Sequence, residues 1–134
     1  MDPLDELRAK IAGFPGYDGD LERRHSDQYV RSYLGEALAS LEASVSLVPD
    51  VRARLDDLTL RVGFADARAF PAHPTAHPSE SGAGAVAAAD VATIVLADRA
   101  SSLDASSVPT FLEEVTAALD ARDAAIRAAS LTTP

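Results

Sequence analysis

The stretch from residue 21 to residue 48 constrains the fold more than any other part of the sequence. It contains no proline and only one glycine. On a helix drawn at about 100° per residue, its recurring apolar side chains fall within an arc of about 80°. One narrow apolar stripe of this length is typical of a long amphipathic helix that faces a core. The side chains that form it are Val30, Leu34, Leu38, Leu41, Val45 and Val48.

The rest of the sequence extends this pattern to an all-α fold. Asp2 and Pro3 form a helix start, because aspartate caps free backbone amides and proline suits the first helical position. A strand would also explain the apolar, partly β-branched segment after residue 86, but no second strand signal is present to pair with it. We predict an all-α bundle of four main helices, at about residues 21–48, 50–68, 86–100 and 109–129, plus a short N-terminal helix at 3–12.

One domain over residues 1–134 is expected, because a chain of this length suits one hydrophobic core. Residues 71–84 contain three prolines and two glycines among small polar side chains, so we predict an internal loop there. Neither side of that loop carries enough large apolar residues for its own core, since 27 residues of the chain are alanine.

The charge and the absence of cysteine exclude several classes of function. The chain has 12 basic and 21 acidic residues, and its net charge of −9 repels nucleic acid and anionic membranes. Without cysteine it has no disulfide, thiolate metal site or cysteine nucleophile. No apolar run is long enough to span a bilayer, and the N-terminus lacks the apolar core of a secretory signal. We predict a cytoplasmic protein that binds neither nucleic acid nor membrane.

The stretch ERRHSDQYVR, residues 22–31, places charged side chains on the apolar stripe. On the same projection Arg23, Asp27 and Arg31 lie on the stripe or at its edge, and Arg24 lies beside it. Asp27 has all three arginines within side-chain reach. One carboxylate cannot neutralise three guanidinium groups, so a further anionic partner is expected.

Two interpretations of this partner stay open. In the first, carboxylates from other helices complete a buried ion-pair network that sets helix register. Its candidates are Asp90, Asp98 and the acidic residues near the N-terminus; the two named aspartates are preferred, and Asp98 especially. In the second, the arginines hold a carboxylate or phosphate ligand through bidentate contacts. We favour the first because structural ion-pair clusters are more common than ligand sites.

From residue 11 to residue 34 the sequence reads IAGFPGYDGDLERRHSDQYVRSYL. This stretch resembles a small group of uncharacterised prokaryotic helical proteins, which carry a Pro-Gly-Tyr turn followed by two arginines, an aspartate and another arginine at the same spacing. The resemblance implies where a site lies, adds Tyr17 to it, and implies no activity. The candidate ligand-binding residues are Tyr17, Arg23, Arg24, Asp27, Arg31 and Asp98.

The sequence carries no catalytic signature, since no glycine-rich phosphate loop follows a strand and no catalytic triad is indicated. We predict neither a cofactor nor a metal site; His73 and His77 flank a proline that denies them the geometry of a helical pair. The favoured function is a non-catalytic interaction or regulatory module. It would form a homodimer, or bind another protein, through the apolar stripes of residues 34–48 and 51–65. The alternative is a protein or small enzyme that binds an anion with the arginine cluster.

Overall fold

The computed structural model describes residues 2–64 and 80–131, and all regular structure in these two ranges is helical. The first range holds α1 (Pro3–Lys10), α2 (Asp20–Ser44) and α3 (Pro49–Phe64). The second holds α4 (Glu80–Arg99), a 3-10 turn (Ala100–Ser102) and α5 (Val108–Leu131). The predicted all-α bundle is confirmed.

A side-chain cap explains the start of α1. The Asp2 carboxylate accepts a hydrogen bond from the Asp5 amide at 2.9 Å, and Pro3 occupies the first turn of α1. This cap satisfies an amide that the helix end would otherwise leave unpaired. Before α5, the Asp104 carboxylate accepts a bond from the Ser107 amide at 3.0 Å and so stabilises the turn that precedes the helix.

Helix α2 ends at Ser44, four residues before the predicted end. The Val45 amide still donates to the Leu41 carbonyl, but Val45 itself has extended backbone angles. Residue 48 precedes Pro49, and the ring of a proline disfavours helical geometry in the residue before it. Val48, which the sequence places on the apolar stripe, therefore lies outside the helix and is 64% exposed.

Helix α4 begins at Glu80, six residues before the predicted start. Residues 80–84 are therefore helical, although their glycine and serine content predicts a loop. Residues 71–79 of the predicted loop and residues 65–68 of the predicted third helix lie outside the described residues.

Helix α4 packs against α1, α2 and, most extensively, α5. Helix α3 closes the bundle by packing on α2 and α5. Within the described ranges, no helix is both long and apolar enough to span a membrane.

Two apolar clusters fill the interior. The first joins α2, α3, the end of α4 and the first half of α5, with Leu34, Leu38, Leu41, Leu55, Leu58, Val62, Phe111, Leu112 and Val115 among its buried residues. The second lies under α1 and the turn after it, with Leu7, Ile11, Phe14, Tyr17, Val30, Val86, Ile94 and Ile126 among its buried residues. Most of the two predicted apolar stripes, on α2 and on α3, therefore packs inside the chain, whereas Val48 is exposed.

Candidate functional site

Asp27 lies inside the bundle, as its position on the α2 stripe predicts, and is 3% exposed. Its Oδ2 atom accepts a hydrogen bond from Arg31 Nε at 2.9 Å, one helical turn further on. Arg31 also donates from Nη1 to the Val62 carbonyl near the end of α3, at 3.1 Å. This pair therefore connects α2 to α3 as well as satisfying one carboxylate oxygen.

The second carboxylate oxygen of Asp27 is bound by Arg122 of α5. Arg122 donates from Nη2 to Asp27 Oδ1 at 2.7 Å and from Nε to Asp90 Oδ1 at 2.5 Å. Asp90, on α4, has no exposed surface, and its other oxygen accepts a hydrogen bond from the Tyr17 hydroxyl. We call Tyr17, Asp27, Arg31, Asp90 and Arg122 the buried network. It joins α2, α4, α5 and the turn after α1.

Two guanidinium groups and two carboxylates balance within the buried network. Burial raises the pKa of Asp90, and this outweighs the opposing effects of the Arg122 charge and the Tyr17 hydrogen bond. Burial acts to lower the pKa of Arg122, but the charges of Asp90 and Asp27 and their hydrogen bonds raise it above its usual range. Arg122 thus stays cationic at 2% exposure. Asp27 and Asp90 thus balance Arg31 and Arg122, whereas the carboxylate beside Arg23 and Arg24 is that of Asp20.

Arg23, also predicted as a site residue, connects α2 to the turn after α1 through hydrogen bonds. It is 4% exposed, and its Nη1 atom donates to the carbonyls of Tyr17 at 3.2 Å and Asp18 at 3.3 Å. Its Nη2 atom lies 3.9 Å from the Asp20 carboxylate. This arginine therefore acts mainly on the backbone next to Tyr17.

Gly16 shapes the turn that carries Tyr17. Its φ of +93° lies in the left-handed region, which residues with a side chain rarely adopt. The Gly16 amide donates to the buried Ser26 hydroxyl at 3.1 Å, and that hydroxyl donates to the Gly16 carbonyl at 2.7 Å. The two bonds hold the turn against α2 and so aim the next side chain, Tyr17, at Asp90.

Arg24 and Asp98 lie apart from the buried network. Arg24 is half exposed and forms a surface ion pair with Asp20 at 3.3 Å. Asp98 accepts a hydrogen bond from the Tyr33 hydroxyl and lies 2.9 Å from Lys10 Nζ. Partial burial acts to raise the pKa of Asp98, but the hydrogen bonds from Tyr33 and Lys10 lower it below its usual value. The expectation that Asp98 is the preferred acceptor for the arginines is wrong, because Asp98 binds Tyr33 and Lys10 while Arg23 and Arg24 lie beside Asp20.

Arg122 is the member of the buried network that sequence reasoning missed. It lies three residues after Leu119 and four before Ile126, two residues of the apolar face of α5. The projection that places Arg23 and Asp27 on the stripe of α2 would also place Arg122 among these apolar residues. The sequence feature that indicates Arg122 is therefore a charged residue on the apolar face of a second helix.

A pH titration of the three tyrosines should distinguish the tyrosine of the buried network from those nearer the surface. Burial, followed by the Asp90 charge and hydrogen bond, raises the pKa of Tyr17 far above its ordinary 10.0. The folded chain then holds this proton more tightly than the unfolded chain, so the stability that Tyr17 contributes is present below pH 10 and is lost as the pH rises above it. The Tyr33 hydrogen bond to Asp98 raises the pKa of Tyr33 to about 12.

We expect the last third of the tyrosinate absorbance of the wild-type chain to appear together with loss of helical circular dichroism. Tyr17→Phe should remove that last step, whereas Tyr33→Phe should remove a step centred near pH 12. If Tyr17→Phe removed absorbance near pH 10 instead, Tyr17 would be exposed to solvent.

Comparison with protein-family models, with curated proteins and with solved structures found no match to this chain. In the part of the chain that the structure describes, no group of three or more histidine, aspartate or glutamate residues is placed to hold a metal ion. His73 and His77 lie outside that part.

Proposed function

We propose that this chain is a single-domain, cytoplasmic, non-catalytic interaction module, and that its arginine and aspartate cluster is part of the scaffold. The observation that carries the proposal is the charge balance of the buried network. Arg31 and Arg122 already donate to Asp27 and Asp90. An anionic ligand would have to displace a buried carboxylate from its guanidinium group, which is strongly unfavourable.

The alternative function, binding of a small anion, depends on Arg24, because the other predicted arginines are bound by protein groups. One half-exposed arginine that already faces Asp20 offers a single weak contact. In a thermal-shift screen we expect phosphate and citrate to raise the melting temperature no more than sodium chloride of equal ionic strength. A saturable stabilisation by either anion that is lost in Arg24→Ala would contradict the proposal.

An apolar groove between α1 and α4 supports an interaction role. Its volume is about 290 Å³, and its walls are Leu7, Ala9, Val91, Ile94 and Val95, with Glu6 and Lys10 also lining it. Val95 is 51% exposed. A groove of this kind accepts the apolar face of an amphipathic helix, which lays side chains three and four residues apart into it.

A synthetic amphipathic helix tests this function without a known partner. The probe is a lysine and leucine peptide whose leucines are spaced three and four residues apart, and the control is the same composition in scrambled order. We expect the probe to shift the methyl NMR signals of Val91, Ile94 and Val95 with a dissociation constant of about 1 mM or tighter. Equal shifts with the scrambled peptide, or no shifts, would contradict a helix-binding groove.

A further inference from the structure

The charges at the groove between α1 and α4 are uneven, although its walls are apolar. Among the described residues, two charged side chains line it, Glu6 and Lys10, and they lie about one helical turn apart on α1. Both are exposed, so a partner seated in the groove would meet them. What each charge offers to that partner depends on what it already binds inside the chain.

Lys10 is already neutralised within the chain. Its Nζ atom lies 2.9 Å from the carboxylate of Asp98 on α4, and that carboxylate also accepts a hydrogen bond from the Tyr33 hydroxyl. An acidic partner that bound Lys10 would have to compete with Asp98 for the same ammonium group. Lys10 therefore adds little net charge to the groove.

Glu6 has no such counterion. Within residues 2–64 and 80–131, its carboxylate forms no ion pair with a basic side chain. Arg8, two residues further along α1, donates instead from Nε to the Phe14 carbonyl at 3.4 Å. Asp5, next to Glu6, is acidic and exposed as well. The groove is thus apolar along its walls and anionic near the start of α1.

We propose that the groove binds a basic amphipathic helix of another protein, in which a lysine or arginine beside the apolar face pairs with Glu6. The proposal rests on the proposed function, since it names the partner of the same groove. The apolar side chains of that helix contact Leu7, Val91 and Ile94, and its cation lies at the end of the groove where α1 begins.

The net charge of the chain favours the same class of partner. At −9, the chain attracts a cationic helix and repels an anionic one before contact is made. Complementary charges mainly set the choice of partner and the rate of association, whereas burial of apolar side chains supplies most of the affinity. A second copy of this chain gains no such attraction, because it carries the same net charge.

Two peptides of opposite charge test the proposal on the full chain. The first is the lysine and leucine peptide described above, and the second carries glutamate in place of every lysine. At an ionic strength of about 10 mM, we expect the methyl signals of Val91, Ile94 and Val95 to report at least about tenfold tighter binding of the basic peptide. Equal affinities would overturn the basic partner and leave the helix-binding function standing. Binding of neither peptide would overturn both.

Reversal of one charge separates pairing at Glu6 from the general attraction of an acidic chain. Glu6→Lys should weaken binding of the basic peptide about tenfold and strengthen binding of the acidic peptide. Glu113→Lys is the matched control, because Glu113 is exposed on α5, does not line the groove, and changes the net charge by the same amount. It should change either affinity by less than about twofold. Equal effects of the two variants would overturn the proposal.

Carbodiimide cross-linking locates the contact, because it joins a carboxylate to an amine where the two form an ion pair. We expect the basic peptide to be coupled at Glu6 of the wild-type chain, and Glu6→Gln to lose most of the product. Product that persists unchanged in Glu6→Gln would place the peptide elsewhere and overturn the proposal.

The chain without peptide provides the last comparison. From micromolar to millimolar concentration, the methyl signals of Val91, Ile94 and Val95 should stay unchanged. Shifts of these signals with concentration would mean that a second copy occupies the groove, and would overturn the proposal.

Discussion

Replacing Arg122 by methionine should lower the free energy of unfolding by about 3–5 kcal/mol, the usual cost of breaking a buried ion pair by removing one partner. The Arg122 side chain is 2% exposed and is shared by Asp27 and Asp90, which are equally enclosed. Methionine fills much of the space but leaves both carboxylates without their main cation. Urea denaturation followed by circular dichroism measures the difference.

Arg61→Met provides the matched control, because Arg61 also bridges two aspartates. It lies 2.8 Å from Asp120 and 3.0 Å from Asp123, but these carboxylates are well exposed to water. Exposed ion pairs contribute up to about 1 kcal/mol, so this variant should lose no more than that. Equal losses in the two arginine variants would mean that the Arg122 contacts are solvated and that the buried network is not a scaffold.

Leu38→Ala should lower the free energy of unfolding by about 3–5 kcal/mol through loss of apolar burial and the cavity left behind. Leu38 has no exposed surface and lies in the first apolar cluster. Because its contacts are within one chain, the loss should not depend on protein concentration. Leu60→Ala, at an exposed leucine of α3, should change stability by no more than about 0.5 kcal/mol.

The Leu38→Ala measurement also decides whether the α2 stripe packs inside one chain or forms an interface between copies. The sequence predicts that the stripes of residues 34–48 and 51–65 could serve as an interface between copies. In the structure their leucines face α4 and α5, as well as each other. A destabilisation by Leu38→Ala that appeared only at concentrations where dimers form would contradict this placement.

The sequence predicts the helices of this fold well because apolar spacing and proline position act locally. It predicts the ends of α2 and α4 less well. The apolar spacing continues through Val45 and Val48, but Val45 already has extended backbone angles, and the proline at position 49 disfavours helical geometry in Val48. Glycine and serine near residue 82 indicate a loop, yet the chain is already helical from Glu80.

The sequence predicts which residues of α2 belong to the buried network, but it does not predict their contacts with other helices. The position of Asp27 on the α2 stripe follows from helical geometry alone. Its pairing with Arg122 joins residues 95 positions apart, and the choice of Asp90 over Asp98 depends on how α4 is rotated against α5. Asp90 and Asp98 lie about two helical turns apart on α4, and their surroundings differ, since Asp98 lies at the surface beside Lys10.

The coupling energy between Asp27 and Arg122 tests the central claim most directly. It is obtained from the unfolding free energies of the wild-type chain, Asp27→Asn, Arg122→Met and the double variant. A scaffold role predicts a coupling of about 2 kcal/mol or more, because Arg122→Met takes a cation from the buried Asp27 carboxylate, and Asp27→Asn removes that charge from the double variant. A coupling below about 0.5 kcal/mol would contradict it, since two residues that do not depend on each other give additive effects.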